Sequence, residues 1–442
     1  MGSDAVQQRQ TADYVSQDAQ FQLRERQYRQ QYSALYFTRL LQLRPVLEDR
    51  VRRQWPHVQA LEILKLAAGV RCAVVGTLYK QMQLKPSILD EYTKERSAVP
   101  LVAPAKLVHD DDFLILEDMS GRIRLTGDAL RPADYATGVV VAVLGVEQAD
   151  GEFAVEAVLL PDLPPQPLRP PAPAAGVAPP RYVALVSGLG VGAPGVDPLQ
   201  TQLLVDHLGG HLGGSQAQQL SARTVRVVLA GDSLHAPPDL LTGQALSARE
   251  QAAAVAPIQE LDLLLTQLAA ALPVDVMPGS TDPANYSLPQ QPLHPCLFPG
   301  ASQYDTFSAA TNPHRFSVDG VDFLGTAGQP VADLLRYCGR DDPLALLEST
   351  LRWRHLAPTA PDTLACYPFT DSDPFLLATC PAVYFAGNQA AFATTLLQGT
   401  DGQRVRLIAL PRFADTGMAV LVDLATLEAQ PLTVTTTNLG GP

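Results

Sequence analysis

The feature that most restricts this chain is a segment that fits no sheet or helix interior. In residues 161–180, PDLPPQPLRPPAPAAGVAPP, nine of twenty are proline. Each proline removes a backbone donor and fixes φ, so the segment favours extended polyproline conformation and separates what lies on either side. With 442 residues, the chain is long enough for two or three domains. Docking of the proline run on an SH3-type partner is the alternative to a linker role.

On the N-terminal side, residues 1–18 are polar and predict a disordered tail. Residues 19–65 read as a helical region: between positions 21 and 53 eight arginines stand against Glu25, Glu48 and Asp49. Tyr32, Leu35, Tyr36, Leu40 and Leu43 recur there at helical spacing. This predicts an amphipathic helix, interrupted near Pro45 and resumed to about Trp55, with a basic solvated face and an apolar face docked on the next domain. Contact with nucleic acid or an acidic partner is the alternative use of that basic face.

From Val70 the period falls to two, in VRCAVVGTLYKQM, FLILED, GRIRLTG, TGVVVAVLGVEQADG and EFAVEAVLL, with a turn at Asp150–Gly151. Short strands with little helix over residues 66–163 predict a small closed barrel of the oligonucleotide/oligosaccharide-binding (OB) type. Barrels that bind single strands place stacking aromatics beside basic residues. The candidates here are Tyr79, Lys80, Lys85, Phe113, Arg122 and Arg124, with Lys80 and Arg124 as possible nucleic-acid contacts. Protein binding is the preferred use of so sparse a set.

Beyond the linker, 164–180, a second domain spans 181–442 and alternates strands with helices. RYVALVSGLGVG is a strand entering a glycine-rich loop, but Gly188, Gly190 and Gly192 are followed by Pro194, which opposes the helix start a dinucleotide needs. His207 and His211 have chelating spacing, yet Gly209 and Gly210 intervene. VRVVLAGD (225–232) is an apolar strand ending on Asp232, followed by a loop with His235 and Asp239. A helix follows with the stripe Ile258, Leu261, Leu264, Leu265, Leu268 and Leu272. VDVMPGSTDPANY (274–286) repeats the strand-then-loop design. FSVDGVDFL predicts a hairpin turning at Asp319–Gly320, GTAGQPVADLLRY a strand-loop-helix unit, and PTAPDTLACYPFTDSDPF a long irregular loop. VYFA ends in Gly387, Asn388 and Gln389, and VRLIALPRF with GMAVLVDL predict two turn-connected strands of a second sheet. Together these predict a two-sheet α/β sandwich whose ligand edge lies where the strands end.

Composition narrows the function classes. At 46% hydrophobic residues the chain is globular, and no run approaches the ~18 apolar residues of a membrane span. The first twenty residues carry no apolar secretory core, so an intracellular, soluble protein is expected. Five scattered cysteines suggest neither disulfides nor a closed zinc site. A net charge of −13 opposes tight independent binding to nucleic acid, which depends on cations meeting phosphates.

The segments LVSGLGVG, TQLLVDHL, VDVMPGSTDPANYSLPQQPLHPCLFP, DGVDFLGTAGQPVADLLRY, RHLAPTAPDTLACYPF and VYFAGN occur in a chain ordered as helix, barrel, linker and sandwich. They resemble the small B-subunits of replicative DNA polymerases, in particular the DNA polymerase delta branch, over most of residues 20–430. The resemblance implies α/β plus β-barrel architecture: an OB-fold barrel joined to a two-sheet α/β sandwich of the calcineurin-like metallophosphoesterase type, with an N-terminal helix. It further implies that the eukaryotic sandwich has lost its metals, needs no cofactor and is not an enzyme. Where active relatives of that fold carry Asp-x-His, this chain has Ser187, Gly188 and Leu189. Asp232 is kept, but the Asn-His loop is replaced by Gly279, Ser280, Thr281 and Asp282, and the Gly-His-x-His loop by Gly387, Asn388, Gln389 and Ala390. The degenerate positions are thus Ser187, Gly188, Asp232, Gly279, Asp282 and Asn388, with no catalytic residue and no metal ligand set.

The resemblance also implies a nuclear scaffold in DNA replication and repair. Its partners would be the cysteine-rich C-terminal domain of the polymerase delta catalytic subunit, the N-terminal domain of the third subunit and a small fourth subunit where present. DNA would be reached only indirectly, and no membrane is involved. Two alternatives remain open: an active metal-dependent phosphoesterase or nuclease, and a single-stranded DNA-binding module acting through the barrel.

Overall fold

The period-two runs form strands that segregate into three six-stranded sheets. A computed structural model describes residues 8–24, 27–85, 104–168, 179–235 and 248–436. The strands are β1 (Tyr14–Ser16), β2 (Ala60–Leu61), β3 (Arg71–Gln81), β4 (Phe113–Glu117), β5 (Arg122–Thr126), β6 (Val140–Glu147), β7 (Phe153–Leu159), β8 (Tyr182–Val186) and β9 (Thr224–Ala230). They continue as β10 (Val274–Met277), β11 (Phe307–Ala309), β12 (His314–Val318), β13 (Val321–Thr326), β14 (Val383–Gln389), β15 (Ala393–Gln398), β16 (Arg404–Pro411), β17 (Met418–Asp423) and β18 (Ala429–Thr433). The helices are α1 (Ser33–Gln54), α2 (Pro198–Gly209), α3 (Ser215–Arg223), α4 (Ala248–Ala271), α5 (Gln329–Tyr337), α6 (Pro343–Arg352) and α7 (Phe413–Thr416).

The chain divides into two units. One comprises Gln27–Pro165 and Pro330–Thr379, the other Met1–Arg26, Gln166–Gln329 and Cys380–Pro442. In the first unit the strands run β3-β4-β5-β7-β6 and close back onto β3, the order of an OB barrel. Closure depends on β3 serving two neighbours: Arg71–Thr77 pairs with β6 and Thr77–Gln81 with β4. Gly76 sits at that crossover, where a Cβ would lie 2.6 Å from the Glu117 carbonyl oxygen. Leu40, Leu43, Leu47 and Val51 of α1 pack on Ala73, Val75, Val140 and Ala142 of the barrel.

Three expectations for this unit are corrected. Helix α1 starts only at Ser33 and runs unbroken through Pro45. Pro45 is exposed, so the donor it lacks falls on the solvent side while the buried leucines on either side hold the helix together. Arg39, expected on a solvated basic face, is fully buried. Its guanidinium donates to Asp373 at 2.9 Å and to the carbonyls of Gly138, Pro358 and Ala360. The irregular stretch after His355, predicted to belong with the sandwich, has no ladder of its own, so its carbonyls need a donor of this kind; it belongs to the barrel unit.

The other unit faces two sheets together, ordered β1-β12-β13-β14-β16-β15 and β11-β10-β9-β8-β17-β18. Val183, Leu185 and Val228 of one interdigitate with Phe316, Phe323, Val383, Phe385 and Ile408 of the other. On the outer face of the second sheet, Leu203, Leu204 and Leu208 of α2 and Leu261, Leu265 and Leu268 of α4 cover Val227, Leu229 and Val276. The expected hairpin is present, with Asp319 and Gly320 at φ 50° and 74° between β12 and β13.

Further differences concern segments whose partners are remote. The described part of the expected disordered tail is ordered: β1 pairs with β12, and buried Asp18 bonds His314 Nδ1 at 2.8 Å. A carboxylate at that depth needs a donor, and His314 supplies it. VRLIALPRF and GMAVLVDL enter different sheets, as β16 and β17, because α7 turns the chain between them. The start of the linker packs, with Leu163 buried and Gln166 bonded to Pro381 and Arg404. Residues 169–178 of the linker, 1–7 of the tail, and Asp239 with the rest of loop 236–247 lie outside the described residues.

Candidate functional site

Strands β8, β9 and β10 are mutually parallel, so their C-terminal ends share one edge. Backbone hydrogen bonds join the loops there: Gly188 N donates to Gly231 O at 2.9 Å and Gly190 N to Asp232 O at 3.0 Å. A Cβ on Gly279 would lie 2.3 Å from both Asp232 N and Oδ1, so only glycine allows the β9 and β10 loops this approach. The fourth contributor is the irregular end of β14, where Asn388 N donates to Ser187 Oγ at 2.9 Å. All six degenerate positions, Ser187, Gly188, Asp232, Gly279, Asp282 and Asn388, therefore converge.

Their contacts are local. Asp232, at φ 54° and 6% exposed, accepts from Thr281 N at 3.0 Å, and Ser280 Oγ lies 3.1 Å from both its oxygens. Asp282 accepts from Gly279 N and Leu234 N at 2.7 Å and from Ser233 N at 3.4 Å. Burial pushes the Asp282 carboxyl up to about 7, and the neighbouring charge of Asp232 adds to the rise against the backbone donors. Ser187 Oγ donates to Pro411 O at 3.0 Å.

These residues do not fit a pair of divalent ions. Such a site needs several imidazole and carboxylate donors converging on metals roughly 3.5–4 Å apart. Here the two carboxylates are already engaged, and the other positions offer a hydroxyl, glycines and an amide. Among the described residues no group of three or more His, Cys, Asp or Glu could hold a metal.

What connects the loops is a chain of neutral amides that inspection of the sequence missed. Asn388 Nδ2 donates to Ala327 O at 2.9 Å, and Ala327 N donates to Asn312 Oδ1 at 3.0 Å. Asn312 Nδ2 donates to Gln290 Oε1 at 2.8 Å, and Gln290 Nε2 to Gly279 O at 2.9 Å. Asn312 and Gln290 are buried. They stand in LPQQPL and ATNPHRF, where flanking prolines suggest only irregular loop; no spacing marks them.

The proposed nucleic-acid contacts, Lys80 and Arg124, belong to the barrel unit. Lys80 is 1% exposed, with Nζ donating to Tyr337 O at 2.9 Å and lying 3.8 Å from Asp112. Burial lowers its pKa, and its ammonium is out of reach of a strand. Arg124 differs: its side chain is 51% exposed, lies 4.2 Å over the Phe113 ring, and pairs with Glu152 at 3.4 Å.

A family model described as the DNA polymerase delta subunit OB-fold domain matches residues 31–158, and one described as the B-subunit of DNA polymerase alpha/epsilon matches 183–394. The matches fall on either side of the proline run. Over 430 residues, 97% of this chain and 99% of the relative, the sequence is 52% identical to the DNA polymerase delta small subunit of Oryza sativa subsp. japonica. It is 51% identical to the Arabidopsis thaliana protein of that name, covering 98% of both chains. Identity to the DNA polymerase delta small subunit of Saccharomyces cerevisiae is 32%, over 94% of this chain and 92% of that one.

Proposed function

The chain belongs to the DNA polymerase delta small-subunit family, and from that premise we propose that it is a non-catalytic scaffold joining the catalytic subunit to the other small subunits. Asp232 carries the reading. Its carboxylate, the acid kept where a phosphoesterase would bind metal, is engaged by Ser280 and Thr281 and serves as a latch between the β9 and β10 loops. Two facing sheets with parallel strands ending in one loop cluster support a calcineurin-like metallophosphoesterase fold. The contacts we assign are the cysteine-rich C-terminal domain of the catalytic subunit, the N-terminal domain of the third subunit and a fourth subunit where present. The work is nuclear, and a body of net charge −13 complements basic partners without competing for template.

Metal content and turnover test this. The purified chain should hold no stoichiometric manganese, iron or zinc and cleave no phosphodiester, and Asp232→Ala should change its stability alone. Stoichiometric metal together with an activity lost in Asp232→Ala would overturn the proposal in favour of a working phosphoesterase. A single-stranded DNA module remains the second reading, favoured by the exposed Arg124 over Phe113. It requires sub-micromolar filter binding near physiological salt that Arg124→Ala abolishes.

A further inference from the structure

The outer strands of the two facing sheets are β1 and β15 in one, β11 and β18 in the other. An outer strand leaves a row of backbone N–H and C=O groups unpaired, which invites a further strand, and proteins ordinarily blunt it by shortness, charge or proline. Strands β1 and β11 have three residues each, and β18 carries Pro431. Strand β15 has none of these guards. Its six residues, ATTLLQ, hold no charge and no proline, and the surrounding stretch 383–400 holds none either. It pairs with β16 in unbroken antiparallel register, from Ala393 opposite Ala409 to Gln398 opposite Arg404.

Strand parity tells which groups are spare. Arg406 N donates to Ala382 O at 2.9 Å, and Gln166 brackets the Arg404 backbone, accepting from its N and donating to its O at 2.8 Å. The even-numbered residues of β16 thus turn their peptide groups towards β14 and away from β15. The odd-numbered Val405 and Leu407 face Leu397 and Thr395 across the ladder, and Gly399 N, donating to Gln403 O at 2.8 Å, keeps the same parity. Thr394, Leu396 and Gln398 therefore point their N–H and C=O outwards. Among the described residues no strand beyond β15 pairs with them.

We propose that β15 accepts an added strand from another polymerase delta subunit, an extended segment whose backbone pairs with Thr394, Leu396 and Gln398. The proposal rests on the scaffold reading and assigns one of its contacts. The chemistry of the edge selects the occupant. Donors and acceptors alternating over about 20 Å complement a strand and no helix, whose own backbone groups are already paired. Nucleic acid needs cations, and β15 supplies none. A second copy of this chain would bring two bodies of net charge −13 together on one narrow edge, where like charge opposes contact. An extended segment of a different subunit reaches the edge without such a body behind it.

The test compares residue-resolved hydrogen exchange of the full chain alone with that of the chain co-expressed with the other polymerase delta subunits of the same organism. Alone, the amides of Thr395 and Leu397 should be protected, while those of Thr394, Leu396 and Gln398 exchange fast at every protein concentration. In the complex these three should slow by at least about tenfold, giving protection at consecutive positions. Leu396→Pro removes one outward donor and leaves the ladder to β16, a placement that edge strands tolerate. It should speed dissociation of the complex about three- to tenfold, the scale of one backbone hydrogen bond. A complex in which the three amides stay fast overturns the proposal, as does a folded Leu396→Pro chain that dissociates like the native one; if that variant fails to fold, the exchange decides. Slow exchange of the three amides in the isolated chain also overturns it, in favour of a second copy if it depends on concentration and of a segment of the same chain if it does not. Failure of the native chain to join the other subunits at all is the separate result that sinks the scaffold reading itself.

Discussion

Asp232 and Asp282 stand out in the sequence as remnants of a metal site, and their surroundings show that they act as fasteners. If Asp232 latches two loops, Asp232→Ala should lower the unfolding free energy by about 1–3 kcal/mol, the cost of leaving buried donors unpaired, measured by urea denaturation. Unchanged stability would remove the latch. Asp282 gives a pH signature. Its folded pKa, about 7, lies above the ordinary carboxylate value of 3.8, so the native state holds a proton that the unfolded chain releases. Its contribution therefore falls as pH rises from about 4 towards 7 and levels off beyond. The stability difference between the native chain and Asp282→Asn should shrink across that window; a flat difference would show that the carboxyl titrates normally. Asp232 was legible because a Gly-Asp pair after an apolar run marks a strand end. Gln290 and Asn312 were not, since the amide chain links positions 22 and 61 residues apart, and Lys80 was misread because β3 is covered on both faces, which breaks period-two parity.

Among elements, β1 and α1 show how far periodicity reaches. Three residues of edge strand inside a polar tail carry no detectable pattern, yet β1 is followed by Asp18, which with Asp275 brackets His314. Burial alone would lower the His314 pKa, but the hydrogen bond to Asp18 and the Asp275 carboxylate 3.6 Å from Nε2 raise it to about 9. A raised histidine contributes fully below its unfolded value and is lost as pH climbs through the folded one. Hydrogen exchange of Tyr14–Ser16, corrected for intrinsic rate, should accelerate between roughly pH 6.5 and 9, and His314→Gln should show fast exchange already at pH 6. Pairing that persists at pH 10 would contradict this clamp. Helix α1 was legible as amphipathic from Leu35, Leu40 and Leu43, but Arg39 looked like one more surface cation. Its bond to Asp373, shared with His355 Nε2 at 2.8 Å, is fully buried. Arg39→Met should destabilise the chain by about 3–5 kcal/mol in chemical denaturation, because buried Asp373 loses its guanidinium and the carbonyls of Gly138, Pro358 and Ala360 lose their donor. A loss below that range would mean that His355 suffices as its partner.

For the whole molecule, the proline run marks one passage between units, while the passages after Arg26, Gln329 and Thr379 leave no compositional trace. Domain boundaries drawn from sequence therefore placed Pro330–Thr379 with the sandwich, although it completes the barrel unit. This changes what a deletion can test. Removing residues 27–165 alone takes away Arg39, the donor to the Pro358 and Ala360 carbonyls and the partner of Asp373. It also removes Lys80 from the Tyr337 carbonyl. The remaining 330–379 stretch would then expose carbonyls and a carboxylate that have lost these donors, and the product should aggregate. Removing 330–379 as well, with flexible glycine-serine bridges, leaves the two facing sheets with their own core and should give a soluble chain that melts cooperatively. If the barrel unit forms part of the contact with the catalytic subunit, that chain should fail to co-purify with it. A folded double deletion that still co-purifies would confine the contact to the two-sheet unit, and a soluble single deletion would show that the 330–379 segment does not depend on Arg39.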